Sequence, residues 1–161
     1  MNIIGLDKTK VRTSSETAEF TLGTVGRIDG SGRLYKYIKY NSGATPVAAV
    51  AGNFVYNYAV SGASAGQYTE VTSFVTDSGG IGMGVLQSVI ANGGYGWIQI
   101  KGQATLAQTI EDTPVDGGPL TAIGVATSGA ISTVAAGAAG SYCCGVAIDA
   151  SAKIVFLDCP W

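Results

Sequence analysis

Apolar and polar positions alternate along this chain in short runs, with no sustained helical spacing, and the pattern predicts strands almost throughout. The clearest run is 93–102 (GGYGWIQIKG), entered through glycines and left through one. Strand side chains alternate, so Ile98 and Ile100 share one face while Tyr95, Trp97, Gln99 and Lys101 share the other. The first face is expected in the core. The second is expected to be the more exposed or contact face, meeting either a second layer of the fold or another protein, because it carries a large indole beside Gln99 and Lys101.

Residues 19–24 (EFTLGT) predict a strand that turns through Asp29-Gly30-Ser31-Gly32 into a second, 33–40 (RLYKYIKY). Leu34, Lys36, Ile38 and Tyr40 fall on one side of it. Tyr35 and Tyr37 fall on the other with Arg33 and Lys39, a face suited to solvent or to a partner subunit. Pro46 argues against a central strand in 41–53. Residues 54–60 and 68–75 read as strands joined by a flexible loop at 61–67. The glycine-dense 77–84 reads as a turn, 83–90 as a strand and 110–120 as a loop. The last part predicts two hairpins, 121–126 with 130–135 and 141–148 with 153–158, turning at 127–129 and 149–152. Gly84-Val85-Leu86, Gly124-Val125-Ala126 and Gly145-Val146-Ala147 suggest similar corners, and the indole of Trp161 is expected to dock.

These elements make residues 19–161 one all-β domain, a compact β-barrel or β-sandwich of short strands. Residues 1–18 are largely polar and periodless and read as an extended, flexible docking arm, whose removal is expected to leave the domain's melting transition nearly unchanged.

Composition supports one domain: 161 residues can bury a core without a disulfide or metal. Only 12% of residues are charged against 47% hydrophobic, which suits tight packing or a surface hidden in an assembly. Residues 1–39 carry seven cations and four anions, and the remainder two and seven. A basic quarter on an acidic body suits an acidic protein surface, met by Lys8, Lys10 and Arg12, better than nucleic acid. No apolar run is long enough to span a membrane, and the first residues lack a signal-peptide core, so synthesis and retention in a cytoplasm are expected.

The sequence contains no histidine, which excludes imidazole-based triads and zinc sites with histidine ligands. No Walker-type or dinucleotide glycine loop is present, so no cofactor is expected. Cys143, Cys144 and Cys159 lack metal-ligand or C-x-x-C spacing and read as buried reduced thiols, a bridge to Cys159 being geometrically open. Glu111, Asp112 and Asp116 form the only acidic cluster and suit a solvated loop better than glycosidase chemistry or calcium.

The succession EFTLGT, DGSGRLYKYIKYNSGA, GVLQ, GYGWIQIKG, GPL and a late GVAI hairpin resembles the small structural proteins of tailed-phage virions, particularly capsid decoration (cement) proteins. The resemblance spans most of 19–150; Cys143-Cys144 and Cys159-Pro160-Trp161 have no counterpart in it. It implies a non-enzymatic all-β protein on the outer face of the capsid, a homo-oligomer, most often a trimer, that bridges subunits of the major capsid protein. Lys8, Lys10 and Arg12 would then contact the capsid, and Tyr35, Tyr37, Tyr95 and Trp97 a partner or sister subunit. Two other classes stay open: a fibre, spike or adhesin module binding host glycan through its aromatic faces, and a hydrolase using the three carboxylates.

Overall fold

The longest strand is β7 (Tyr95–Thr105), and the sheet is arranged around it. A computed structural model of the chain describes residues 2–44, 47–58, 68–134 and 142–160. Pro46, the 61–67 loop and Trp161 lie outside the described residues. The fold is nearly all β, a mixed sheet that is not a closed barrel.

β3 (Leu34–Tyr40) runs antiparallel to β7 from Leu34 opposite Lys101 to Lys39 opposite Tyr95. β2 (Val25–Arg27) pairs with the first half of β3, across a short 3-10 turn at Asp29–Ser31. β1 (Asn2–Ile4) adds to β2 in parallel. β5 (Glu70–Thr72) pairs with the far end of β3, then β4 (Phe54–Tyr58) with β5, and β6 (Ser78–Leu86) with β4. β6 returns to β7 at Val85 and Leu86. On its C-terminal half, β7 pairs with β12 (Ile154–Asp158), and β12 with β11 (Cys143–Asp149). β9 (Pro119–Thr121), β10 (Ile131–Thr133) and β8 (Ile110–Glu111) complete the order.

The late hairpin forms where alternation and its turn place it, with Val155 and Leu157 inward and Phe156 outward. Several expected elements shift: 68–75 is a strand only at Glu70–Thr72, and 110–120, expected as a loop, holds β8 and the start of β9. Residues 19–24 form no strand; β2 begins at Val25, because Phe20 and Leu22 pack down onto an aromatic face instead of extending along an edge. The expected strand at 121–126 ends at Thr121, although its pairing with β10 holds. The glycine-dense stretch read as a turn is most of β6, whose bare backbone lets Phe54 and the β7 main chain approach closely.

The main core lies on the even-numbered side of β7. Ile98 and Ile100 are fully buried there against Ile38, Phe54, Tyr56, Met83 and Leu86. The Tyr56 hydroxyl donates to the carbonyl of Ala130 at 2.5 Å, tying β4 to the loop before β10. Its side chain is dry enough that desolvation pushes its phenol well above the ordinary tyrosine range. Among the described residues no helix is long and apolar enough to cross a membrane.

Candidate functional site

The odd-numbered side of β7 divides into two halves with different fates. On the N-terminal half, Trp97 sits directly opposite Tyr37, their rings 5.1 Å apart. Phe20 closes over both, 5.4 Å from each ring, and Tyr95 stacks on Tyr37 at 6.4 Å. Leu6, Ala18, Leu22 and Ile28 complete this layer. Trp97 and Tyr35 are each 1% exposed and Tyr37 2%. The contact face expected of Tyr35, Tyr37 and Trp97 is therefore occupied from within, and only Tyr95 stays half-buried. Gln99 is buried as well, both amide hydrogens committed to the carbonyls of Lys101 and Gln103. A ring cluster of this size holds its cover through apolar area and edge-to-face contacts together.

Part of the cover, Leu6 and Ala18, comes from the 1–18 segment expected to be a free arm. Arg12 exchanges two main-chain hydrogen bonds with Tyr95, each 2.9 Å, at the start of β7. Its guanidinium reaches Glu16 at 3.1 Å and Glu19 at 3.4 Å, and Lys10 lies 2.8 Å from Glu19. The Lys10 ammonium bonded to Glu19 helps hold that carboxyl below the usual range. Lys8 stands over the ring of Tyr35, 5.9 Å from its centre. Of the three cations expected to meet a capsid, Lys10 and Arg12 are thus paired within the chain. Contacts this exposed are weak singly, so the apolar residues of the segment do most of the anchoring.

The C-terminal half of the same side has no cover among the described residues. Outward residues of β7 there are Lys101, Gln103 and Thr105, and Phe156 lies opposite Gln103. The next strands continue the row, with Val146 opposite Phe156 and Pro119 opposite Val146. Ile148 bulges outward at a register shift in β11. Val146, Ile148 and Phe156 are 37, 45 and 41% exposed, a contiguous apolar strip on rigid strands. Lys101 and Asp158, paired at 3.3 Å, mark its charged rim. The sequence carries a signal for this strip: IVFLD is apolar at both parities, which in a strand means that both faces seek cover.

Between the halves lies a polar cleft of about 280 Å³, with Lys8, Arg33, Gln87, Gln99 and Gln103 among its lining residues. The three carboxylates of the 110–120 stretch do not converge on a site. Glu111 accepts from the amides of Ala126 and Thr127, Asp112 from the Ser132 hydroxyl, and Asp116 from the amide of Ala150. Each holds a loop in place. No group of three or more metal-ligating side chains occurs among the described residues.

On the core side, Lys36 is 3% exposed and has no carboxylate partner among the described residues. Burial pushes its ammonium toward the neutral form, an effect that Cys159 partly offsets. Such a lysine destabilises the fold wherever the unfolded side chain is charged, and the penalty fades as pH rises toward the ordinary lysine range. Lys36→Met is expected to stabilise the protein by about 1–3 kcal/mol at pH 7. The gain should vanish above about pH 10.4, which urea melts across that range would read. A gain that is the same at pH 7 and pH 11 would assign the effect to packing alone.

The chain has no match among known protein families, characterised proteins or solved structures.

Proposed function

We propose that this chain is a non-enzymatic structural protein of a tailed-phage virion, which decorates the assembled capsid and stabilises it by bridging coat-protein subunits. The observation that carries the reading is the bare strip of Val146, Ile148 and Phe156. One half of a continuous sheet face is roofed by the chain's own first residues, while the other half leaves three large apolar side chains uncovered on regular strands. A contiguous patch of this kind, with a charged rim, is how a protein surface meets another protein.

In this reading the strip closes a homo-oligomer, in the trimeric form that the resemblance implies, and the oligomer sits on the outer capsid surface. Several linked copies docking on a repeated lattice gain by multivalency even when each contact is modest. Preference for assembled shell over free coat protein then stabilises the shell by linkage. The polar cleft favours a second reading, a module binding host glycan, because the Gln103 side chain beside Lys8 and Arg33 suits hydroxyl and acid groups.

Purified protein added to phage heads stripped of their decoration should bind at a stoichiometry that names a symmetry site. Phe156→Lys is expected to abolish self-association in light scattering while changing monomer stability by no more than about 0.5 kcal/mol, since the side chain is already partly in water. A wild-type protein that is monomeric and ignores the heads, yet binds immobilised surface polysaccharide, would replace the first reading with the second.

A further inference from the structure

Cys144 and Cys159 meet inside the sheet, where β11 and the end of β12 converge. Both are buried and free, and the Cys144 thiol donates to the carbonyl of Tyr142 at 3.7 Å. The Cys159 thiol also lies 3.6 Å from the carbonyl oxygen of Cys144. The Cys144 sulfur packs against Gly82. Gly82 is what admits that sulfur: a β-carbon there would collide with it and would stand 2.7 Å from the Phe54 ring. Lys36 lies on the same side, with Cys159 the ionisable side chain that acts on it. A pocket of about 420 Å³ opens onto the pair between Tyr68, Tyr142 and Pro160.

We propose that Cys144 and Cys159 are a redox-active thiol pair that a small-molecule disulfide oxidises to an internal bridge. Cys144 is the attacking sulfur. The neighbouring Cys159 thiol lowers the pKa of Cys144, helped by the main-chain amides of Ala122 and Gly82 and opposed by burial, while the pKa of Cys159 is raised. The Cys144 thiolate attacks one sulfur of the entering disulfide, breaks its S–S bond and releases one small thiolate. Cys159 then loses its proton to water through the pocket that both cysteines line, and attacks the Cys144 sulfur. The mixed disulfide breaks and the second small thiolate leaves. Two protein thiols have given up two electrons and two protons, and the small disulfide has become two thiols. Cys143 is exposed, and its thiol donates to the carbonyl of Gly145 at 3.1 Å.

The test uses the full chain and oxidised glutathione, followed by alkylation under denaturing conditions and a non-reducing peptide map. The expected product is a chain with one free thiol, Cys143, and a 144–159 link. Cys159→Ser should stop at a single glutathione adduct on Cys144. Three free thiols after treatment of the wild-type chain, a link through Cys143, or an adduct that never closes overturns the proposal.

Discussion

A chain that begins at Glu19 is expected to melt about 6–12 °C below the full-length protein, at roughly 2–4 °C per kcal/mol for a domain of this size. Leu6 alone is buried deeply enough to contribute about 1.5–3 kcal/mol. The deletion also removes Ala18, β1 and both main-chain bonds between Arg12 and Tyr95. About 3 kcal/mol in total is a modest sum for these losses. Indole fluorescence should shift to the red as water reaches Trp97, the buried tryptophan that the segment helps roof. A truncated chain with unchanged melting and an unshifted spectrum would return the segment to the role of an independent arm.

That role is what the sequence suggests, and the reason it misleads is physical. Ala18, Phe20 and Leu22, although spaced by two, cover a surface with Leu6 as part of an irregular layer instead of forming a strand. Their burial is dictated by Tyr35, Tyr37 and Trp97, residues far away in sequence. The strands that pair locally were legible: the hairpin of β11 and β12 and the turn between β2 and β3 carry alternation and turn chemistry in adjacent residues. The core side of β7 was legible for the same reason, since Ile98 and Ile100 alternate with polar neighbours. β6 was hidden because glycine reads as a turn former, and nothing local reveals that its missing side chains make room for distant neighbours. The apolar strip was half legible, in the unbroken IVFL, but which of its faces the fold would leave bare depends on where the first 28 residues settle.

Gly84→Ala is expected to cost about 3–5 kcal/mol, combining overpacking with a backbone conformation that side chains avoid. Gly84 has φ +143°, and a β-carbon there would run into the main-chain carbonyl of Gln99, with Ile100 Cγ2 only 3.5 Å away. The obstacle is backbone of the central strand, so no rotamer change relieves it. Yielding would pull β6 from β7, whose pairing is two residues long. Thermal melts should show a drop of about 6–20 °C. Gly30→Ala, at a turn with nothing within 4 Å, is the matched control and should melt within a few degrees of wild type. Equal melting temperatures for the two variants would mean that β6 and β7 are less closely apposed than described.

Of the three strands that pair with β7, β3 and β6 precede it in the chain and β12 follows it, which matters during synthesis. β3 has left the ribosome before β7 is made and can pair with it at once. β12 follows about 50 residues later, so at 5–20 residues per second the edge of β7 from Lys101 to Thr105 waits about 3–10 s for its neighbour. During that interval the nascent chain carries an open strand edge, and sister chains growing on the same messenger offer the identical sequence at close range. The yield of folded protein is therefore expected to depend on ribosome spacing, falling when initiation is driven hard and recovering when it is slowed, with the equilibrium stability of the finished sheet unchanged.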